Sequence, residues 1–150
     1  MKREFGKYVS LNIFGMLGLS CYILADTFFV SAKMGADGLT ALNLAISIYS
    51  FINGTGLMIG IGGGTKYSIY RSRREEEKGN RVFTAALVMG FLIGIILFAV
   101  GIFATRPLSM LLGAEGKIIE MTTVYLRTIL CFSPCFICNN IFLAFVRNDG

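Results

Sequence analysis

Asp26 is the residue with the clearest potential for chemistry, because it is the one carboxylate inside an apolar stretch from Tyr8 to Ala32. A charged group at mid-bilayer costs about 2.5–3.5 kcal/mol on insertion scales, and such residues usually handle protons or cations. Counting from Tyr8 places Asp26 about 18 residues, or roughly 27 Å, along a helix. A hydrated position at the outer membrane face is therefore the alternative interpretation, and the residue types leave both open.

The cysteines offer a second kind of chemistry, but their setting favours packing. Cys131, Cys135 and Cys138 follow one another at helical spacing around Pro134 and could in principle hold a soft metal ion. The chain contains no His, and Phe, Ile and Leu surround the thiols, so we expect no metal site. Pro134 instead predicts a bend, because proline removes a backbone donor and clashes with the preceding turn.

No residue pattern indicates catalysis. Residues 60–66 superficially resemble a phosphate loop, but the order is Gly-Thr-Lys and no strand precedes it. There is no Ser-centred nucleophile motif and no cluster of metal ligands, so we expect neither an enzyme nor a resident cofactor. The charged segment from Arg71 to Arg81 could bind lipid headgroups or nucleic acid, but Glu75–Glu77 cancels much of its charge. We interpret it as a solvated loop and expect no nucleic-acid partner.

The elements that carry these residues are membrane spans. Of the 150 residues, 55% are hydrophobic and 15% charged, whereas soluble domains carry about 25% charged residues. A span needs about 18 or more apolar residues, too many for the core of a signal peptide. Only helices or closed barrels satisfy the backbone in lipid, so we predict an all-α polytopic membrane protein. Its four spans cover about 8–32, 38–65, 82–105 and 118–146.

Basic residues set the expected orientation, because Lys and Arg in short loops accumulate in the cytoplasm. With the N-terminus inside, the ten cytoplasmic ones are Lys2, Arg3, Lys7, Lys66, Arg71, Arg73, Arg74, Lys78, Arg81 and Arg147. The three outside are Lys33, Arg106 and Lys117, and Arg127 lies in the fourth span. Both termini are therefore predicted to be cytoplasmic. The outer loops, 33–37 and 106–117, are short, and the longest loop is inside.

Glycines predict where helices approach one another. Gly56, Gly60 and Gly64 recur every four residues and form a ribbon on one face of the second span, and Gly90 and Gly94 repeat the spacing on the third. Small residues at this spacing let two backbones pack closely. Gly101, near the end of the third span, lies on no such ribbon, so we expect Gly60→Leu to disrupt the fold more than Gly101→Leu.

Seven segments, found in this order along almost the whole chain, carry a family resemblance. They are ADTFFVS (25–31), GADGLTALNLAISIYSF (35–51), GLMIGIGGGTKYSIYR (56–71), NRVFTAAL (80–87), LLGAEGKI (111–118), YLRTIL (125–130) and FVRNDG (145–150). Together they resemble the multidrug and toxic compound extrusion (MATE) family.

The resemblance implies a role in efflux from the bacterial inner membrane. The family has twelve helices in two six-helix lobes around a central cavity, and it exports organic cations in exchange for protons or sodium ions. By resemblance, this chain comprises the first four helices of the N-terminal lobe, embedded in the lipid bilayer. Because alternating access needs two lobes, the C-terminal lobe is an expected partner, and we expect the segment not to transport alone.

The resemblance also implies site residues. Asp26 matches the carboxylate of the family's first helix, which binds the coupling proton or cation. Asn139 and Asn140 fall where the family places polar cavity-lining residues in its fourth helix, and Asn43 is a further candidate in the second. Ser47 stands in the stretch where the family commonly has a proline, so the residue that usually bends that helix is missing here.

Three other functions remain open at this point. The related lipid-linked oligosaccharide flippases share the two-lobe architecture. A four-helix pump working as an antiparallel dimer would need balanced loop charges, which the bias in basic residues opposes. A non-transporting membrane remnant that interacts with a full-length relative would use the glycine ribbons for pairing.

Overall fold

The computed structural model describes the backbone of residues 2–149 and the side chains of residues 10, 13–14, 16–18, 20–25 and 27–148. Within that backbone range the chain forms helices and no strands, as predicted. The helices are α1 (Lys2–Ser72), α2 (Glu76–Phe103), α3 (Thr105–Leu111), α4 (Lys117–Cys131) and α5 (Ser133–Asp149). The chain divides into two compact units, residues 1–40 and residues 41–150.

Helix α1 is interrupted at Gly35, whose φ of 65° and ψ of −153° are not helical. This region of backbone conformation is open essentially to glycine alone. The break separates residues 2–34, named α1a, from residues 36–72, named α1b, and it falls within the predicted outer loop. Residues 36–72 are helical throughout, including Ser47.

Apolar length supports the membrane assignment of the described residues. Met16–Ser72 and Glu76–Phe103 are each long and apolar enough to cross a bilayer, and the pair Lys117–Cys131 and Ser133–Asn148 makes a third candidate when taken as one bent span. The apolar, helical architecture is thus confirmed. The predicted first two spans both lie in α1, the third corresponds to α2, and the fourth corresponds to α4 with α5.

Two predicted loops are wrong in extent. The inner loop, expected to be the longest, contains three residues, Arg73–Glu75, because residues 66–72 continue α1 and residues 76–81 begin α2 beyond the uncharged stretches. The outer segment 106–117 contains α3, which has Pro107 in its first turn, where proline is tolerated. Ser109 Oγ lies 3.1 Å from Thr123 Oγ1 and joins α3 to α4.

The bend predicted from proline is confirmed. Helices α4 and α5 meet at Phe132 with an angle of 49° between them. Pro134 is the second residue of α5, so its missing N–H falls where a helix start leaves donors unpaired in any case. Ser133 donates from its hydroxyl to the Leu130 carbonyl at 2.7 Å and to the Gly94 carbonyl of α2 at 3.2 Å, which fixes the bend against its neighbour.

Helix α5 packs between the two predicted glycine ribbons. On α1b, a Cβ placed at Gly56 would lie 3.1 Å from the Ile137 Cα, and one at Gly60 would lie 3.1 Å from the Ile141 Cα. On α2, a Cβ at Gly94 would lie 2.6 Å from the Pro134 Cα. Backbone atoms therefore occupy the space that a side chain would need, and the ribbons serve the packing role inferred from their spacing.

Gly101 has a close helix partner, which was not expected from the sequence. It is buried, and a Cβ there would lie 2.6 Å from the Leu130 Cβ and 3.3 Å from the Leu130 carbonyl carbon. Gly101 follows Gly94 by seven residues, or about two helical turns, and therefore lies on the same buried face of α2, where it contacts the end of α4.

The helix α2 buries its smallest residues and exposes its largest. The buried ones in α2 are Gly79, Ala86, Gly90, Gly94 and Gly101. The large exposed ones include Val88, Met89, Phe91, Leu92, Ile95 and Ile96. This is the reverse of a soluble helix, and it fits a helix whose outer face meets hydrocarbon and whose inner face packs by close backbone approach.

Candidate functional site

The surroundings of Asp26 belong to the first unit. Asp26 lies on α1a, and its side chain falls outside the described residues. Its neighbours in sequence, Ala25 and Thr27, line a depression of about 610 Å³. The other lining residues are Leu24, Phe28, Phe29, Ser31 and Leu39. The rings of Phe28 and Phe29 meet edge to face at 6.0 Å, so the wall is aromatic with two hydroxyl groups in it.

Asn43 is exposed on α1b and belongs to a polar stripe that sequence reasoning did not identify as a whole. The stripe consists of the exposed residues Asn43, Ser47, Ser50 and Gly54 of the second unit. They recur at intervals of three and four residues and so share one helix face. The Ser47 hydroxyl donates to the Asn43 carbonyl of its own helix at 3.4 Å. A polar face of this kind in an apolar span normally meets water or another part of a protein.

Asn140 lies at the contact between α5 and α1b. Its exposed fraction is 9%. Its side-chain nitrogen donates to Asn53 Oδ1 at 2.8 Å and to the Phe136 carbonyl at 3.0 Å, and Asn53 in turn donates to the Tyr49 carbonyl at 3.0 Å. Sequence reasoning missed Asn53, although its place three residues before the glycine ribbon was a usable signal.

The predicted asparagines do not form one cluster. Asn139 is exposed while its neighbour Asn140 is buried, as expected for adjacent residues on a helix, which point about 100° apart. Asn43 lies ten residues before Asn53 on α1b, about 15 Å along the axis. The structure thus pairs Asn140 with Asn53 and leaves Asn43 on the exposed polar stripe.

The cysteines are free thiols. Cys131 ends α4, and the break at Phe132 separates it from Cys135 and Cys138 on α5. Among the residues that the structure describes, no three His, Cys, Asp or Glu side chains come together in a way that could hold a metal ion.

A buried hydroxyl close to α3 was also absent from the sequence interpretation. Thr122 on α4 is fully buried, and its Oγ1 has no hydrogen-bond partner among the described residues. The adjacent Thr123 bonds with Ser109 instead. Threonine hydroxyls are common in membrane helices, where spacing alone does not distinguish a bonded one from an unbonded one.

Comparison with known proteins identifies the family to which this chain belongs. The MatE family model matches residues 12–150, which is nearly the whole chain. The chain belongs to the MatE family. Proteins of this family are transporters and not enzymes.

Several relatives of this MatE chain share one name. The multidrug export protein MepA of Staphylococcus saprophyticus is 29% identical over 129 residues. The proteins of the same name in the Staphylococcus aureus strains MRSA252 and COL are each 23% identical over 129 residues. Each alignment covers 86% of this chain and 29% of the relative. The chain therefore spans less than a third of the length of the relatives it matches. No solved structure matches it significantly.

Proposed function

We propose that the chain forms part of the N-terminal lobe of a multidrug efflux antiporter in a bacterial inner membrane. The observation that carries this proposal is the match to the MatE family over residues 12–150. The relatives are named multidrug export proteins, which favours drugs as substrates over lipid-linked oligosaccharides. In this proposal α1a, α1b, α2 and the bent pair α4 and α5 cross the membrane in turn, with both termini in the cytoplasm.

Asp26 is the proposed coupling residue, exchanging H⁺ or Na⁺. An uncharged carboxylic acid and a carboxylate differ greatly in the cost of leaving water, so loading the ion changes which helix arrangement is favoured. The depression beside Asp26 is the proposed contact for the organic cation, because its wall supplies Phe28 and Phe29. Aromatic faces attract organic cations.

The polar stripe on α1b is the second proposed element of the transport site. Asn43 is the amide of this stripe, and Asn139 offers a further exposed amide on α5. We assign Asn140 to the same lobe, with its amide held by Asn53. The remaining helices of a two-lobe transporter would close the cavity over these groups and alternate its access.

The test is efflux of a fluorescent organic cation by a two-lobe transporter that contains this segment, compared at matched protein levels. Asp26→Asn removes the titratable charge and nearly preserves shape, so we expect ion-driven efflux to collapse while the substrate still binds. Asp37→Asn is the matched control, because Asp37 is exposed in the segment just after Gly35. Near wild-type efflux in Asp26→Asn would refute the coupling role and favour a hydrated helix end.

A further inference from the structure

A polar cavity lies where α1b ends and α2 begins. Its volume is about 250 Å³, and it is lined by Tyr67, Arg71, Glu76, Gly79 and Asn80. Gly79 is buried, and a Cβ there would lie 3.4 Å from the Tyr67 ring, so the ring closes one side of the cavity. Arg71 donates to the Tyr67 hydroxyl at 2.9 Å, and its guanidinium carbon lies 6.0 Å from the centre of that ring. The cation is thereby held at the cavity.

Two of the three glutamates beside this cavity form ion pairs with basic residues three or four positions along the chain. Glu75 pairs with Lys78 at 3.0 Å, and Glu77 pairs with Arg81 at 2.8 Å. Lys66, Arg73 and Arg74 take part in neither pair, and all three are exposed. Residues 66–81, which carry the cavity, hold six basic side chains against three acidic ones, so this segment is positive even though its acidic triplet cancels part of the charge.

This positive segment lies at one end of the apolar spans. Lys66 directly follows the uncharged stretch 38–65, and Arg81 directly precedes the uncharged stretch 82–105. The end of α5 lies at the same level, because a Cβ at Gly64 would lie 2.7 Å from the Asn148 Nδ2, and the exposed Arg147 adds a further cation there. Clusters of four to eight basic residues next to a span typically bind anionic lipids.

We propose that the cavity, with Lys66, Arg73 and Arg74 around it, binds the headgroup of phosphatidylglycerol. The Arg71 guanidinium presents paired donors suited to phosphate oxygens. Asn80 and Glu76 offer an amide and a carboxylate to the two hydroxyls of the glycerol headgroup. The Glu76 carboxylate repels a second negative charge, which disfavours phosphatidic acid and phosphatidylserine. This proposal does not depend on transport activity.

The experiment counts lipids bound to the purified full chain by native mass spectrometry, during titration with phosphatidylglycerol or phosphatidylcholine. We expect phosphatidylglycerol to bind more tightly. The triple variant Lys66→Gln, Arg73→Gln, Arg74→Gln should lose roughly tenfold to a hundredfold of that affinity, since each basic residue near an anionic surface contributes substantially. The matched control is Arg106→Gln, Lys117→Gln, Arg127→Gln, which removes one Lys and two Arg that are also exposed. Equal losses in the two triple variants would overturn the assignment.

A single substitution tests the cavity itself and keeps the proposal open to refutation if the triple variant fails to fold. Glu76→Gln should raise the affinity for phosphatidic acid, because the repelling charge is gone. The ratio of the affinity for phosphatidylglycerol to that for phosphatidic acid should therefore fall. An unchanged preference would mean that the cavity does not hold the headgroup. A competition experiment with soluble glycerol phosphate distinguishes a lipid from a free phosphate ester. If glycerol phosphate displaces the lipid at equal concentration, the site binds the free phosphate ester and the lipid assignment is wrong.

Discussion

The side-chain amide of Asn140 donates a hydrogen bond to Asn53 Oδ1, 2.8 Å away, and so joins α5 to α1b across 87 positions of sequence. The pair lies beside the Gly56 contact, where a Cβ would be 3.0 Å from the Asn140 Cβ. Close backbone approach and a polar bond thus occur at the same level of the helix pair. Small residues and interhelical hydrogen bonds are the two means by which membrane helices associate.

Removing this bond should weaken the helix pair measurably. Asn140→Ala keeps the Asn140 Cβ that lies against Gly56 but removes the side-chain N–H that donates the bond. Asn53→Ala removes the side-chain oxygen that accepts it. A double-mutant cycle on the unfolding free energy in detergent should give a coupling energy of about 0.6 kcal/mol, and at most about 1.7 kcal/mol, the range found for such bonds in membrane proteins. Asn139→Ala, on the exposed side of the same helix, is the control and should change little. Strictly additive effects of the two alanines would show that the bond contributes nothing.

The glycine ribbon predicts a contrast between two glycines that lie two positions apart. At Gly60 a Cβ would lie 2.9 Å from the Ala144 Cβ and 3.1 Å from the Asn140 carbonyl oxygen, whereas at Gly62 nothing lies within 4 Å. Gly60→Leu should therefore push α5 away and lower both expression and thermal stability, while Gly62→Leu should be tolerated. Gly101→Leu should behave like Gly60→Leu, given its contact with Leu130. Similar melting temperatures for the Gly60 and Gly62 variants would contradict this packing.

The break at Gly35 predicts a purely backbone effect. Its φ is +65° and nothing lies within 4 Å of a Cβ built there, so a side chain meets strain and no clash. Gly35→Ala should cost about 1–3 kcal/mol, the usual cost of a residue held in a sparsely populated conformation. Gly18→Ala is the matched control, because Gly18 is helical and equally open. Alanine there should be neutral or slightly stabilising. The measurement is the thermal stability of the two purified variants. Equal values would show that the backbone conformation at Gly35 does not require glycine.

The proposed topology predicts opposite accessibility at the two ends of α2. Ser72 is the last residue of α1b, Glu115 precedes α4, and both are exposed. In a background lacking the four native cysteines, a membrane-impermeant thiol reagent applied to intact cells should label Glu115→Cys and leave Ser72→Cys unlabelled. Permeabilised cells provide the control, since both sites should then react. Labelling of Ser72→Cys in intact cells would reverse the orientation.

Features that depend on one residue's covalent structure were predictable from the sequence. Pro134 lacks a donor wherever it occurs, and the Gly56 ribbon lacks side chains whatever its partner is, so the bend and the close packing both followed. The partner of Asn140 did not, because identifying Asn53 requires knowing how α5 lies on α1b. Hydropathy also misplaced the helix ends near Glu75 and Thr105, because it detects the apolar part of a helix and not the polar turns that continue it or the short helix that follows it. Asp26 as an ion site remains a prediction.

The reversed burial in α2, with glycines inside and large apolar side chains outside, has a consequence for heat capacity. Soluble domains gain heat capacity on unfolding because buried apolar groups become hydrated. Here the large groups of α2 already face the surrounding hydrocarbon, and separating the helices within a bilayer would transfer buried groups such as Ile137 and Ile141 to lipid and not to water. Dissociation of α5 from its two neighbours should therefore show a heat-capacity change near zero. The stability of this helix contact should then vary almost linearly with temperature, with no optimum and no loss on cooling.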